Sequence, residues 1–249
     1  MTWTIYYTGQ TQPEVQIDIL KTVRFYHMPT IRITYEHTSS FRKVEAYLKQ
    51  SAWIIFFSKN GVRGFHYWLT ELSQSLSQFT TTIWTVGEAT GRAVERIFHQ
   101  TPQQPQKSSA IGLIQAFQRQ KKHPLLLIAG QRSRLEFPTW LRQEGWDFMQ
   151  VPVYRTELYE NIALRQEFQN IEEEVVIFTA PSTVQGFLKS VAIPDLSNII
   201  ARLISIGPTT TEEVKSLGGQ VSYEAPIPSV SHIITTLVSD TVFTAQNFG

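Results

Sequence analysis

Residues 54–65 read IIFFSKNGVRGF and residues 176–187 read VIFTAPSTVQGF. Phe56, Val62, Gly64 and Phe65 match Phe178, Val184, Gly186 and Phe187, each pair 122 positions apart. A second pair follows in the same order. TVGEATGRAVERI starts at Thr85 and SIGPTTTEEVKSL at Ser205, with Gly87 and Thr90 matching Gly207 and Thr210 at an offset of 120. Two long-separated units therefore carry the same succession of parts. In each, a short apolar run ends at small or hydroxyl residues and gives way to apolar residues at helical spacing. Strand, turn, helix is the grammar of a parallel sheet covered by helices. The repeat predicts two similar α/β lobes, each a parallel sheet flanked by helices, and makes a site between them the first place to look for function.

The same grammar extends along the chain. Residues 5–7, 53–57, 82–86, 125–129, 175–179 and 203–206 are short runs rich in β-branched or aromatic residues, as buried parallel strands are. Helical spacing follows several of them, as in Val62, Phe65, Leu69 and Leu72, or Ala93, Val94, Ile97 and Phe98. Two segments break the pattern. PTIRITY at 29–35 and MQVPVY at 149–154 alternate apolar and polar residues, which predicts strands exposed on one side. We read them as a two-stranded antiparallel β linker at 30–35 and 151–157. The first lobe is then discontinuous, residues 1–29 plus 158–249, and the second is residues 36–150. Residues 99–109, rich in Gln, Pro and Ser, read as a surface loop, and the stretch from Asp240 onward as a frayed tail.

Composition narrows the chemistry. Of 249 residues, 42% are apolar and 17% charged, a globular balance. With no cysteine there is no disulfide, thiolate metal site, Fe–S cluster or cysteine nucleophile, and the chain suits a reducing cytosol. A net charge of +1 gives no reason to expect nucleic acid as a partner. No apolar run is long enough to span a membrane, and the opening MTWTIYYTGQ lacks the features of a signal peptide. A cytoplasmic protein is expected, with no membrane partner.

The strand-to-helix turns are the informative loops: Ser58-Lys-Asn60, Gly87-Glu-Ala-Thr90, Gly130-Gln-Arg-Ser-Arg134, Ala180-Pro-Ser182 and Gly207-Pro-Thr-Thr210. Their small and hydroxyl residues have two readings. Ser, Thr and Asn are ordinary helix caps. Equally, helix N-termini with exposed N–H groups bind anions, and open parallel sheets bind ligands at this edge. No phosphate loop, dinucleotide fingerprint or nucleophile elbow occurs, and the six histidines show no metal-ligand spacing. Glu172, Glu173 and Glu174 read as a solvated loop. Tyr154, in VPVYRT, is either a phenol aimed into a cleft or a strand aromatic with a wetted hydroxyl.

Taken together, these segments resemble the uroporphyrinogen-III synthase family. The resemblance covers nearly the whole chain and rests on seven pieces in order: FFSKNGV at 56–62, VGEATGRA at 86–93, GQRSR at 130–134, VPVYRT at 151–156, FTAPSTVQGF at 178–187, IGPTTTEE at 206–213 and PIPS at 226–229. It implies two α/β lobes with a two-stranded linker, and a cyclising hydro-lyase that needs no cofactor or metal. The implied substrate is hydroxymethylbilane, a linear tetrapyrrole with eight carboxylates. The implied product is uroporphyrinogen III, with its terminal ring inverted and water lost. By the same resemblance Tyr154 is the candidate acid, and Ser58, Asn60, Thr90, Ser182, Gly207, Thr209 and Thr210 are substrate-binding. A monomer is expected, with transient contact to the enzyme that makes hydroxymethylbilane. The chain departs from the family at Ala180 and Gly61, where serine and alanine are common, and at Thr8-Gly9-Gln10, where many members carry an arginine. These departures keep one other reading open, a non-catalytic module of the same fold that binds a tetrapyrrole or another polyanion. A two-lobed solute receptor of the periplasmic type is disfavoured by the opening residues.

Overall fold

The computed structural model describes residues 3–13, 23–36, 41–50, 52–132 and 136–238. The stretch from Asp240 onward, Ser133 and Arg134 lie outside them. The chain divides into two compact units, Met1–Arg32 with Glu157–Gly249, and Ile33–Thr156.

The first unit holds a five-stranded sheet. Its strands are β1 (Thr4–Tyr7), β2 (Arg24–His27), β8 (Glu174–Phe178), β9 (Arg202–Ser205) and β10 (Val221–Glu224). They lie in the order β10-β9-β8-β1-β2, and every pair is parallel. Its helices are α6 (Ile162–Glu167), α7 (Pro181–Val191), α8 (Pro208–Ser216) and α9 (Val230–Val238). Side chains alternate across the sheet as period two demands. Tyr6, Val176 and Phe178 pack with Val184, Phe187 and Val214 on one face. Ile5, Tyr7, Val175 and Ile177 meet Ile233, Ile234 and Leu237 on the other.

In the second unit the strands are β3 (Ile31–Tyr35), β4 (Trp53–Phe56), β5 (Ile83–Thr85), β6 (Leu125–Gly130) and β7 (Phe148–Leu158). Their order is β3-β7-β6-β4-β5. The helices are α1 (Phe41–Lys49), α2 (Lys59–Glu71), α3 (Glu88–Phe98), α4 (Ala110–Phe117) and α5 (Glu136–Gln143). Ile54, Phe56, Leu126 and Ile128 face one layer with Phe65 and Val94, while Ile55, Leu125 and Leu127 face another with Phe117 and Phe137. Both unit boundaries fall inside strands, β3 and β7. The Glu36 N–H bonds Val153 O and the Tyr159 N–H bonds Thr30 O, so numbering rises along one strand as it falls along the other, an antiparallel pair. β7 is also a full member of its sheet, parallel to β6 from Phe148 to Tyr154.

The six runs read as buried strands are strands, each within a residue or so of the expected bounds. β2 and β10 were not anticipated, because RFYH and VSYE are short and half-polar. Two loop readings are corrected. Gln103, inside the presumed surface loop, exchanges backbone hydrogen bonds with Ile83 and Thr85 and lies parallel to Trp84. It occupies beside β5 the place that β10 occupies beside β9. Glu174, read as part of a solvated acidic loop, is buried as the first residue of β8. Its carboxylate accepts from the Tyr6 hydroxyl at 2.9 Å and from the N–H groups of Gln169 and Ile171. That arrangement satisfies the charge which the sequence alone would send to water.

Candidate active site

In the second unit β4 lies between β5, which follows it in the chain, and β6, which comes later. The chain therefore leaves β4 in one direction and returns on the other side. Such a switch point opens a crevice at the strands' carboxyl ends. A cavity of about 380 Å³ is found there. Phe57, Val86, Ala129 and Phe137 give it apolar walls, and Ser58, Ser108, Arg132, Glu136 and Tyr154 give it polar ones.

Two sequence-predicted residues meet in this cavity. Ser58 is the N-cap of α2, and its Oγ accepts from the Gly61 N–H at 3.1 Å. The same oxygen lies 3.0 Å from the Tyr154 hydroxyl. Tyr154 reaches it through an irregularity in the ladder. Ala129 pairs with Pro152, but the next residue, Gly130, pairs with Tyr154, so β7 carries one extra residue. A bulge of this kind re-aims the side chain that follows. The ring then lies against Gly130, where a Cβ would come within 2.8 Å of two ring carbons. Glycine at 130 is thus required by close approach rather than by turn geometry.

The remaining predicted residues do not border this cavity. Asn60 is the second residue of α2 and half-buried. Thr90 and Thr210 occupy the same place in α3 and α8, three residues past the N-caps Gly87 and Gly207, and each donates its N–H to that glycine's carbonyl at 3.0 Å. Both side chains are turned inward, 7% and 3% exposed, so the hydroxyls themselves are in the core. Thr209 is exposed, and Gly207 has open space before it, with nothing within 4 Å of an added Cβ. Ser182 is half-buried in the first turn of α7. Ser182, Gly207, Thr209 and Thr210 belong to the first unit, at the carboxyl ends of β8 and β9.

Ala180 is the N-cap of α7 and has no side-chain oxygen. Thr183 supplies the reciprocal half of a cap: its hydroxyl accepts from the Thr179 and Ala180 N–H groups and donates to Ala180 O. With alanine at 180, no side chain caps the first-turn N–H groups of α7, as a serine there would. Lys59, beside Ser58, is held below its usual value by burial and then by the Arg63 and Arg92 guanidiniums, so cations gather at the start of α2. Among the described residues no group of three or more His, Asp or Glu is placed to hold a metal, and no helix is long and apolar enough to cross a membrane.

Sequence reasoning missed Ser108 and Ser109, and it marked the turn that carries Arg132 without singling out that residue. Ser109 caps α4 through the Gly112 N–H at 3.1 Å, and serine before the apolar run AIGLI was the available signal. Ser108 comes from the Gln- and Pro-rich segment and stands 3.7 Å from where a Gly87 Cβ would be. Nothing in its local sequence announces that placement.

A family model described as uroporphyrinogen-III synthase HemD matches residues 21–235. The chain belongs to the uroporphyrinogen-III synthase family. A protein named uroporphyrinogen-III synthase from Chlorobaculum parvum is 24% identical over 181 residues, covering 70% of this chain and 73% of that one. A porphyrin biosynthesis protein HemD from Ruminiclostridium josui is 26% identical over 175 residues, 68% of this chain but only 34% of that longer protein. Among solved structures, uroporphyrinogen-III synthetase of Helicobacter pylori superposes with a TM-score of 0.66 at 20% identity, covering 96% of this chain and 99% of that one. A mutant synthase of Thermus thermophilus gives 0.65 at 13% identity, covering 95% and 97%. At such identities these structures speak for the α/β fold of the family.

Proposed function

We propose that this chain is an active uroporphyrinogen-III synthase, a cofactor-independent lyase that closes hydroxymethylbilane to uroporphyrinogen III. The observation that carries the reading is the Ser58–Tyr154 hydroxyl pair at the mouth of the β4/β6 switch point. Loss of the substrate's terminal hydroxyl starts the reaction. Its carbon–oxygen bond breaks as a pyrrole nitrogen supplies electrons, and the departing oxygen needs a proton. Tyr154 gives that proton, and water leaves. Ser58 uses one lone pair on the Gly61 N–H, so its own hydrogen is free to point at the Tyr154 oxygen. Donation in that direction leaves the phenol's hydrogen for the substrate and steadies the phenolate that forms.

The resulting azafulvene is attacked by the substituted carbon of the last ring. The spiro intermediate fragments and recloses inverted, and the final ring proton returns to the phenolate. The carbon skeleton makes its own bonds. The protein's task is to hold a polycarboxylate in a folded shape, a matter of positioning. The helix starts of α2, α3, α7 and α8, with Asn60, Ser182, Gly207 and Thr209 in or beside their first turns, suit that task through backbone N–H groups, while Thr90 and Thr210, buried and bonded to Gly87 O and Gly207 O, shape two of those turns. We take the chain to act as a monomer in the cytoplasm, receiving its labile substrate from the enzyme that makes it.

The test is direct. Freshly made hydroxymethylbilane is supplied without metal or cofactor, and the type I and type III products are separated. Type III product is expected. Type I product alone would favour the binding-module reading, for which the Thr8-Gly9-Gln10 departure is the motivating feature.

A further inference from the structure

The cavity beside Tyr154 is small for a tetrapyrrole. At about 380 Å³ it lies near the lower end of the ~300–1,000 Å³ that hold whole drug-sized ligands. Four rings with eight acid arms cannot enter it, but one ring can. Its walls have the matching character. Phe57 and Phe137, with ring centroids 6.2 Å apart and edge to face, offer apolar surface to a flat heterocycle. Arg132 borders the same space from the turn after β6, is exposed, and forms no ion pair among the described residues. Ser108 adds a hydroxyl from the segment that crosses the Gly87 turn.

We infer that this cavity is a subsite for one carboxylated pyrrole ring, held by its face on Phe57 and Phe137 and by an acid arm on Arg132. Because Tyr154 and Ser58 border the same cavity, the ring it takes is the one that bears the leaving hydroxyl; this assignment rests on the synthase reading. An arginine fork grips a carboxylate with two parallel bonds, which fixes the ring's rotation as well as its position. Glu136 also borders the cavity, and its charge limits the subsite to a single acid arm near Arg132. The subsite therefore selects a ring with an acid arm over a neutral one.

The probe is a synthetic pyrrole carrying one acetate and one propionate arm, with its dimethyl ester as the neutral partner. Both are titrated calorimetrically into the full chain at millimolar concentration. The acid is expected to bind and the ester to bind at least tenfold more weakly. Arg132→Gln should lose roughly tenfold or more of the acid's affinity, the range of a charge-assisted bond. Failure of the wild-type chain to bind the acid, equal binding of acid and ester, or unchanged affinity in Arg132→Gln overturns the subsite. The product assay separates this from the synthase reading. Type III product with no effect of Arg132→Gln on the probe sinks the subsite alone. Acid binding lost in Arg132→Gln, with only type I product from the wild-type chain, keeps the subsite and sinks the synthase reading.

Discussion

Tyr154 and Ser58 show how much a single hydroxyl contact can decide. A tyrosine in an alternating strand is ordinary. One whose ring is seated on Gly130 and whose oxygen is 3.0 Å from a helix-capping serine is positioned. If the phenol delivers the proton, Tyr154→Phe should lower kcat by at most about 10²–10⁴-fold while the fold and product binding persist, since positioning remains. More type I product should appear as uncatalysed closure competes. Full type III activity in folded Tyr154→Phe protein would reduce the phenol to a wall. Ser58 separates capping from proton direction. Glycine is nearly as good a cap as serine, costing a few tenths of a kcal/mol, but has no hydrogen to give. Ser58→Gly should therefore keep the thermal midpoint within a few degrees and KM near wild type, yet lower kcat. Ser58→Thr should restore it. A loss that falls on stability instead of kcat would make Ser58 a cap and nothing more.

At the scale of elements, the repeat marks where helices touch backbone. Gly64 and Gly186 are the matched glycines of α2 and α7. A Cβ at Gly186 would lie 2.1 Å from the Thr30 carbonyl oxygen, and one at Gly64 would lie 2.7 Å from that of Val153. Both positions keep glycine because a helix passes close to a strand's main chain, which cannot step aside as a side chain can. Gly186→Ala should cost about 3 kcal/mol, at the upper end for overpacking, and Gly64→Ala less. Chemical denaturation checks the order, and equal midpoints for the two variants would refute the close-approach account. The same scale explains why β2 and β10 escaped notice. Their partners supply the hydrogen bonds and the burial, so their own residues need little apolar character.

Across the whole molecule the two units share one plan in permuted order. β8, β9 and β10 followed by β1 and β2 in the first correspond to β4, β5 and Gln103 followed by β6 and β7 in the second. The molecule also carries an alkaline weakness. Burial, with the Glu174 carboxylate beside it, holds the Tyr6 hydroxyl well above its ordinary range. Burial alone pushes Tyr7 up to about 12. A folded-state value above the unfolded ~10 means that the stabilisation is complete below pH ~10 and lost as pH rises past it. Tyr7 should cost about 2–3 kcal/mol over that window. Denaturant titrations at pH 8 to 12 should show stability falling above pH 10. A flat profile would mean that these phenols give up their protons as readily on the folded chain as on the unfolded one.

The sequence by itself determined the α/β class, the six central strands, the matched turns and the family. Those features are local or periodic, and period two, period 3.6 and a turn between them survive in a linear text. Tyr154 and Ser58 were legible as candidates, because motif and strand position both pointed to them. Only the tertiary structure decided that the two hydroxyls meet, since residues 96 apart in the chain are joined by a bulge and a helix cap that no local pattern encodes. It alone turned Thr90 and Thr210 inward, buried Glu174 on Tyr6, and brought Ser108 and Arg132 to one cavity. Each of those outcomes depends on which backbone lies across the sheet, and that is a property of packing rather than of neighbours along the chain.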